Sequence, residues 1–185
     1  MKDNKLSLLI LPLMLLIPAA TVLAEPSEMT PESVKAVYIL KMQAFVKLGD
    51  PPHKVEKICY FEKPGVPADQ SVGQLMAKYL KDYPRMNPYN ASVVWTKAIR
   101  DLKGCDFFYI PAEEDSSVEN IIKELGNNPT LTFSAAKRFI LRGGMVGFYL
   151  DENNRVVMEG NLVNMRDRKV NVDAQILEIM KDVRQ

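Results

Sequence analysis

The stretch RGGMVGFYLDENNRVVMEGN, from Arg142 to Asn161, contains two adjacent glycines, Gly143 and Gly144. Adjacent glycines of this kind raise the question of a phosphate-binding loop. Glycine loops bind phosphate when they connect a strand to the N-terminus of a helix, because the helix amides then point at the anion. Here the glycines precede a β-rich run, and the G-x-G-x-x-G and Lys-Ser/Thr patterns are absent. The stretch therefore predicts a β-hairpin, with strands over 145–150 and 155–160 and a polar turn over 151–154. Gly147 within the first strand predicts a bulge or a close approach.

Candidate catalytic and metal-binding residues are few. His53 is the sole histidine, and its position after two prolines favours an exposed loop residue. The turn 151–154 lacks the spacing of a calcium loop, and the acidic run 113–115 is interpreted as a solvated loop. We therefore predict no enzymatic activity, no metal site and no cofactor.

A set of polar residues surrounds the hairpin. Such a set can clamp a carboxylate, or it can form a solvated rim in which Asn161 caps a helix. Both interpretations stay open for these five residues: Arg142, Glu159, Asn161, Arg166 and Arg168.

The two cysteines, Cys59 and Cys105, favour one structural disulfide in an oxidising compartment. Their wide spacing does not match a C-x-x-C redox motif, and no second Cys or His cluster completes a zinc site. A pair of reactive or metal-binding thiols remains the alternative.

The N-terminus has the layout of a secretory signal peptide. A basic start is followed by an apolar run over residues 8–17 and by small side chains up to Ala24, which predicts cleavage between Ala24 and Glu25. The apolar run is too short to span a bilayer.

Removal of residues 1–24 takes away two of 24 basic and one of 23 acidic residues, which leaves 22 of each. This balance gives no electrostatic reason to expect binding to nucleic acid. Residues 25–185 are expected to form a single exported domain.

Hydrophobic periodicity predicts alternating helices and strands in the mature chain. A first helix should start at Thr30 and continue to Gly49, and others are expected over 71–83 and 117–125, the last with a capping box of Ser116 and Glu119. Strands are expected over 55–61, 92–96, 105–110 and 130–133, with 92–96 and 105–110 buried on both faces. This alternation predicts a three-layer α/β/α sandwich with a mostly parallel central sheet, a C-terminal β-hairpin and one disulfide.

Four stretches together resemble the YfiR family of exported bacterial proteins: KAVYILKMQAFVK, ICYFE, LKGCDFFYIP and LTFSAAKRFILRGGMVGFYLDENNRVVMEGNLVNMRDRKVNVDAQILEIM. The resemblance extends over about 34–180. Two departures stand out. Gly160 replaces the usual Ile, and the sequence Val-Asp-Ala at 172–174 replaces Ser-Ser-Lys. The signature residues are interpreted as a binding surface, and they are Arg142, Gly143, Gly144, Glu159, Asn161 and Leu162.

The resemblance implies a periplasmic, non-enzymatic regulator. Such a protein would bind and restrain the periplasmic domain of an inner-membrane diguanylate cyclase or sensor, within a cyclic-di-GMP pathway, and a homodimer remains possible. Two alternatives are a small-ligand-binding domain and a redox sensor built on the two cysteines. For the ligand alternative, open α/β sheets bind at the carboxyl ends of their strands, here near Pro64-Gly65 and Pro111-Ala112.

Overall fold

The computed structural model describes residues 29–61, 65–102 and 104–184. The predicted signal peptide over residues 1–24 and its cleavage between Ala24 and Glu25 lie outside the described residues. Within these described ranges, no helix is both long enough and apolar enough to cross a membrane.

Five α-helices lie in the described chain: α1 Pro31–Met42, α2 Val72–Asp82, α3 Val118–Leu125, α4 Leu162–Asp167 and α5 Ala174–Leu177. Local sequence fixes where several of them begin. A side-chain oxygen of the preceding residue accepts a backbone N–H of the first turn at α1, α2, α4 and α5. These acceptors satisfy amides that would otherwise lack a helical partner. The capping residues are Thr30, Ser71, Asn161 and Asp173.

Seven strands form the main sheet in the order β3-β2-β4-β5-β6-β7-β9, and β1 and β8 form a separate antiparallel pair. All neighbours in the main sheet run parallel except β6 and β7, which form the predicted hairpin. The strands are β1 Val46–Leu48, β2 Lys57–Phe61, β3 Ser92–Thr96, β4 Phe107–Ile110, β5 Leu131–Ser134, β6 Val146–Leu150, β7 Val156–Asn161, β8 Val170–Val172 and β9 Asp182–Arg184.

Two apolar clusters lie on opposite faces of this sheet. The first cluster packs α1 and α2 against alternate strand residues such as Ile58, Phe107 and Phe133. The second cluster packs α3 and Phe139 against the intervening residues, among them Phe108. Because successive strand side chains point to opposite faces, one sheet supports both clusters. The predicted α/β/α sandwich is therefore confirmed.

The first helix is shorter than predicted. It ends at Met42, and Val46–Leu48 forms β1, which pairs with Val170–Val172. Val46 and Leu48 are buried while the residue between them is exposed. Local periodicity suited a helix, but pairing with a distant strand determined the structure.

Two other local predictions are wrong. Strand β3 lies at the edge of the sheet, so Ser92 and Trp95 are exposed, Trp95 by 42%, and only Thr96 is buried. The capping box is absent, because Ser116 lies within a 3-10 turn, Ala112–Ser117, that precedes α3. The same turn contains the acidic run, in which Glu114 is buried and Asp115 pairs with Arg142.

The hairpin turn is built as predicted. The Oδ1 atom of Asp151 accepts the backbone N–H groups of Asn153 and Arg155 at 2.9 Å each. Arg155 also pairs with the Asp151 carboxylate, and these hydrogen bonds lower the pKa of Asp151. The turn residues therefore have a structural role.

Candidate functional site

The disulfide joins Cys59 on β2 to Cys105, which lies just before the neighbouring strand β4, with their Cα atoms 5.8 Å apart. Both residues belong to the second cluster and are almost fully buried. Thiol exchange needs access for an attacking thiolate. The burial of both sulfur atoms therefore favours a structural bond over a readily reduced one.

Arg142 links two elements on the second face of the sheet. It ends the 3-10 turn Phe139–Arg142, and its Nε and Nη2 atoms donate to the Glu119 carboxylate at 2.5 and 2.7 Å. Its Nη1 atom donates to Asp115 Oδ1 at 2.6 Å. The hydrogen bond from Arg142 is the main reason why the pKa of Glu119 falls from 4.5 to about 2, and the same pair raises the pKa of Arg142. Two carboxylates of the chain itself thus satisfy this guanidinium.

Gly143 and Gly144, two of the signature residues, determine the path of the chain just before β6. Gly143 has φ +95°, a backbone conformation that other residues adopt only with strain. A side chain on Gly144 would collide with the Phe139 ring in the second cluster. The glycine pair therefore lets the chain turn tightly against a buried aromatic residue.

Asn161 is a buried anchor, 2% exposed. Its Nδ2 atom donates to the Ile140 carbonyl at 2.9 Å, and its Oδ1 atom accepts the Asn164 N–H at 3.0 Å. Leu162 follows as the first residue of α4 and packs against the first cluster. The capping interpretation of Asn161 is confirmed, and its side chain is not available as a surface group.

Glu159 faces Gly147 across the hairpin. Its side chain occupies the space that a β-carbon on Gly147 would need, and the strand register there is regular. The predicted close approach at Gly147 thus involves this glutamate side chain.

The predicted ring of Arg and Asn side chains does not assemble around one site. Arg142 and Arg168 line a common pocket of about 430 Å³, but Arg168 is half-buried and its Nη2 atom donates to the Ile122 carbonyl at 3.3 Å. Burial lowers the pKa of Arg168. Glu159 lines a different cavity. The carboxylate-clamp interpretation is therefore wrong for these residues as a set.

An apolar groove of about 760 Å³ lies where β5 and β6 end. Two large apolar side chains in its lining are unusually exposed, Leu141 at 51% and Leu150 at 48%. Arg138 also lines the groove and adopts a left-handed φ of +56°. The full lining is Lys35, Ala135, Ala136, Lys137, Arg138, Ile140, Leu141, Phe148, Tyr149, Leu150 and Glu159. Among the signature residues, Glu159 alone reaches the groove, while the others support the elements around it.

The sequence predictions missed most of this groove. Leu141 and Leu150 each end an apolar run, where the periodicity gives no sign of whether a residue faces the core or solvent. The adjacent basic pair Lys137-Arg138 was the available signal, since it lies three residues after the end of the buried strand β5.

His53 lies elsewhere, with its Nε2 atom 3.1 Å from Asp106 Oδ1. The other carboxylate oxygen of Asp106 accepts the backbone N–H groups of Glu56 and Lys57 at 2.7 and 2.9 Å. These contacts fix the start of β2 beside the start of β4. In the described part of the chain, no group of three or more His, Cys, Asp or Glu side chains is arranged to hold a metal ion.

A third cavity, of about 540 Å³, lies near the carboxyl ends of β2 and β4. Here the strand order changes direction, because β3 lies on one side of β2 and β4 on the other. Gly65 and Glu113 line this cavity, together with Glu32. Ligands of open α/β sheets bind at such a switch point.

The two departures from the YfiR pattern have structural explanations. A β-carbon on Gly160 would lie 2.5 Å from the Met180 Sδ atom, so Met180 occupies the volume of the missing side chain. Val172 pairs in β8, and Asp173 caps α5 by accepting the Gln175 N–H at 2.9 Å.

These features define an α/β/α sandwich with one buried disulfide and an apolar groove beside its C-terminal hairpin. Residues 32–181 match the YfiR/HmsC-like family. The chain therefore belongs to the YfiR/HmsC-like family, as its sequence signature predicted.

No curated protein matches the sequence. Among solved structures, the chain is similar to the crystal structure of a conserved domain protein from Vibrio cholerae O1 biovar El Tor str. N16961, with a TM-score of 0.56 and 13% identity. The similarity covers 84% of this chain and 60% of the Vibrio chain. The chain thus spans less than two thirds of that relative, and the similarity concerns the fold.

Proposed function

We propose that this protein is a periplasmic, non-enzymatic regulator that binds the extracytoplasmic part of an inner-membrane signalling protein and holds it inactive. The membrane protein would be a diguanylate cyclase or a sensor kinase. The observation that carries the proposal is membership in the YfiR/HmsC-like family over residues 32–181. That span includes both apolar clusters and the hairpin, so the match concerns the whole fold rather than one local motif.

The apolar groove is the contact surface that we propose for the membrane protein. Monomeric proteins rarely expose contiguous apolar surface without a binding role, and Leu141 and Leu150 expose about half of their side chains in one cavity. Lys137 and Arg138 add positive charge to its lining. An apolar segment that carries acidic residues would complement this surface in both respects.

The experiment is affinity capture of the tagged, exported protein from cells after chemical cross-linking in the periplasm. Wild type should recover an inner-membrane cyclase or sensor kinase. A Leu141→Asp variant places an unpaired charge on the proposed apolar surface, and it should reduce recovery by at least about fivefold, since burying such a charge costs more than about 1 kcal/mol.

Ile179→Asp is the matched control, because Ile179 is 53% exposed and is not part of the groove lining. This control should recover as much membrane protein as wild type does. Recovery of soluble proteins alone by wild type would contradict the proposal. Equal losses in the two variants would show that the groove is not the contact surface.

A second candidate function is small-ligand binding in the cavity between the ends of β2 and β4. The location of this cavity at the switch point supports it. Glu113 would favour a ligand with a cationic or amine group, whereas Glu32 already pairs with Lys35 at 3.2 Å. A thermal-shift screen of amines and amino acids tests this candidate, because a ligand that binds the folded state raises the melting temperature. Glu113→Gln should abolish any such rise, while Glu124→Gln, outside this cavity, should leave it unchanged.

A further inference from the structure

One stretch of chain, residues 135–141, supplies six of the eleven residues that line the apolar groove, and we call it the groove wall. It follows β5 directly and continues into the 3-10 turn Phe139–Arg142. Arg138 within the wall has φ +56°, and Gly143 just beyond it has φ +95°. A residue other than glycine keeps a positive φ only where the surrounding structure holds it. The shape of the groove wall therefore depends on contacts from other elements.

Arg142 provides such contacts from outside the groove. It directly follows the wall, and it is not among the groove-lining residues. Its guanidinium makes five hydrogen bonds, to the Glu119 carboxylate, to the carboxylate and carbonyl of Asp115, and to the Lys137 carbonyl at 3.4 Å. One side chain thus connects the groove wall to α3 and to the 3-10 turn that precedes α3.

The geometry of this contact differs from that of an ordinary surface ion pair. Exposed ion pairs stabilise proteins little, because water screens them and two flexible side chains must be ordered. Here the Arg142 side chain is only 20% exposed, and it binds the Glu119 carboxylate through both Nε and Nη2. Such two-point pairing fixes the orientation of the guanidinium as well as its distance. The contact is therefore suited to holding a segment in place.

We propose that Arg142 is a positioning residue for the groove, and that it holds the groove wall in the shape that the membrane protein contacts. The inference rests on the function proposed above. Leu141, the most exposed large apolar residue of the lining, directly precedes Arg142. The buried Phe139 ring and the hydrogen bond from Asn161 to the Ile140 carbonyl anchor the same stretch from the core. Loss of the ion pair should therefore loosen the wall locally without unfolding the protein.

Hydrogen exchange of the purified protein, measured without any partner, tests the first half of this proposal. The Leu141 N–H donates to the Arg138 carbonyl at 3.0 Å, and the Gly144 N–H donates to the Phe139 carbonyl at 3.1 Å. Arg142→Gln should speed exchange over residues 137–144 by roughly three- to fivefold. Exchange in the hairpin turn over 151–154 should stay at the wild-type rate.

Two further variants show whether the ion pair itself is responsible. Glu119→Gln removes the carboxylate on α3, and it should speed exchange over the same residues as Arg142→Gln does. Lys78→Gln is the matched control, because it breaks an exposed ion pair with Asp82 on α2 and lies outside the groove lining. This control should leave exchange over 137–144 unchanged.

Capture of the membrane protein after cross-linking tests the second half. Arg142→Gln and Glu119→Gln should each lower recovery by roughly three- to fivefold. The double variant should lose no more than the worse single variant, because both substitutions remove the same contact. Glu119 does not line the groove, so its effect distinguishes a positioning role from direct contact. Lys78→Gln should be captured with wild-type recovery.

Three results overturn the proposal. Exchange over 137–144 that is unchanged in Arg142→Gln shows that the ion pair does not hold the wall. Exchange that rises equally over the whole chain shows a general loss of stability instead of a local role. Recovery that falls for Arg142→Gln but not for Glu119→Gln shows that Arg142 touches the membrane protein itself. If wild type captures no membrane protein, the proposed function fails, whereas the exchange experiment still decides whether Arg142 positions the wall.

Discussion

Removal of the disulfide by the double substitution Cys59→Ala and Cys105→Ala should strongly destabilise the fold. The two residues are 46 positions apart, and a loop of that length corresponds to about 4 kcal/mol in the chain-entropy model. For a chain of this size, 1 kcal/mol changes the melting temperature by about 2–4 °C. The expected decrease is therefore about 8–16 °C, and loss of two buried sulfur atoms adds to it.

Calorimetry and urea unfolding of the purified protein measure this effect. Wild type reduced in denaturant and refolded with reductant is the matched control, because it lacks the bond but keeps both side chains. It should melt close to the double variant, and both should unfold with a steeper dependence on urea, since their unfolded chains expose more surface. Melting temperatures for all three samples within about 3 °C would refute the argument that this bond stabilises the fold.

Three further predictions concern packing, pH and capping. Gly160→Ile should cost about 1–3 kcal/mol by overpacking against Met180, and adding Met180→Ala should recover much of that loss; additive costs in urea unfolding would rule out the shared volume. Because the folded-state pKa of Glu119 is lowered from 4.5 to about 2, its contribution to stability is present above pH 4.5 and is lost as the pH falls towards 2. Arg142→Gln should remove this part of the acid sensitivity in melts across that range, and an unchanged pH profile would contradict the pairing. Asn161→Ala should cost about 1–3 kcal/mol through loss of a cap and an unsatisfied buried carbonyl, while Asn161→Ser, which retains a neutral capping oxygen, should cost less; equal costs would contradict the capping role.

Predictions from sequence succeeded where local patterns and tertiary structure agree. The hairpin, the cap at Asn161 and the strand limits at Ser92–Thr96 follow from turn residues and β-branched runs, which have the same preference in any context. The disulfide follows from the presence of two cysteines in a sequence whose N-terminus predicts export. The resemblance to the YfiR family predicted that all of these features belong to a single domain.

Predictions failed where distant contacts decide the structure. Val46–Leu48 fits a helix locally, but it becomes a strand because β8 supplies its partner about 120 residues later. The sequence predicts that Arg142 belongs to a binding surface. In the structure its positive charge pairs with Asp115 and Glu119, which lie more than 20 residues earlier in the chain. The groove was missed for a different reason. Ten of its eleven lining residues lie between Ala135 and Glu159, but local periodicity does not tell whether Leu141 and Leu150 face the core or solvent.

Cellular cyclic di-GMP in a strain that lacks this gene is the most direct test of the regulatory account. The account predicts that the level rises on deletion and returns to the wild-type level when the exported chain is supplied. The same chain without residues 1–24, retained in the cytoplasm, should not restore it. An unchanged level on deletion would contradict the restraint of a diguanylate cyclase, and equal restoration by the exported and the retained chain would contradict a regulator that acts by contact in the periplasm.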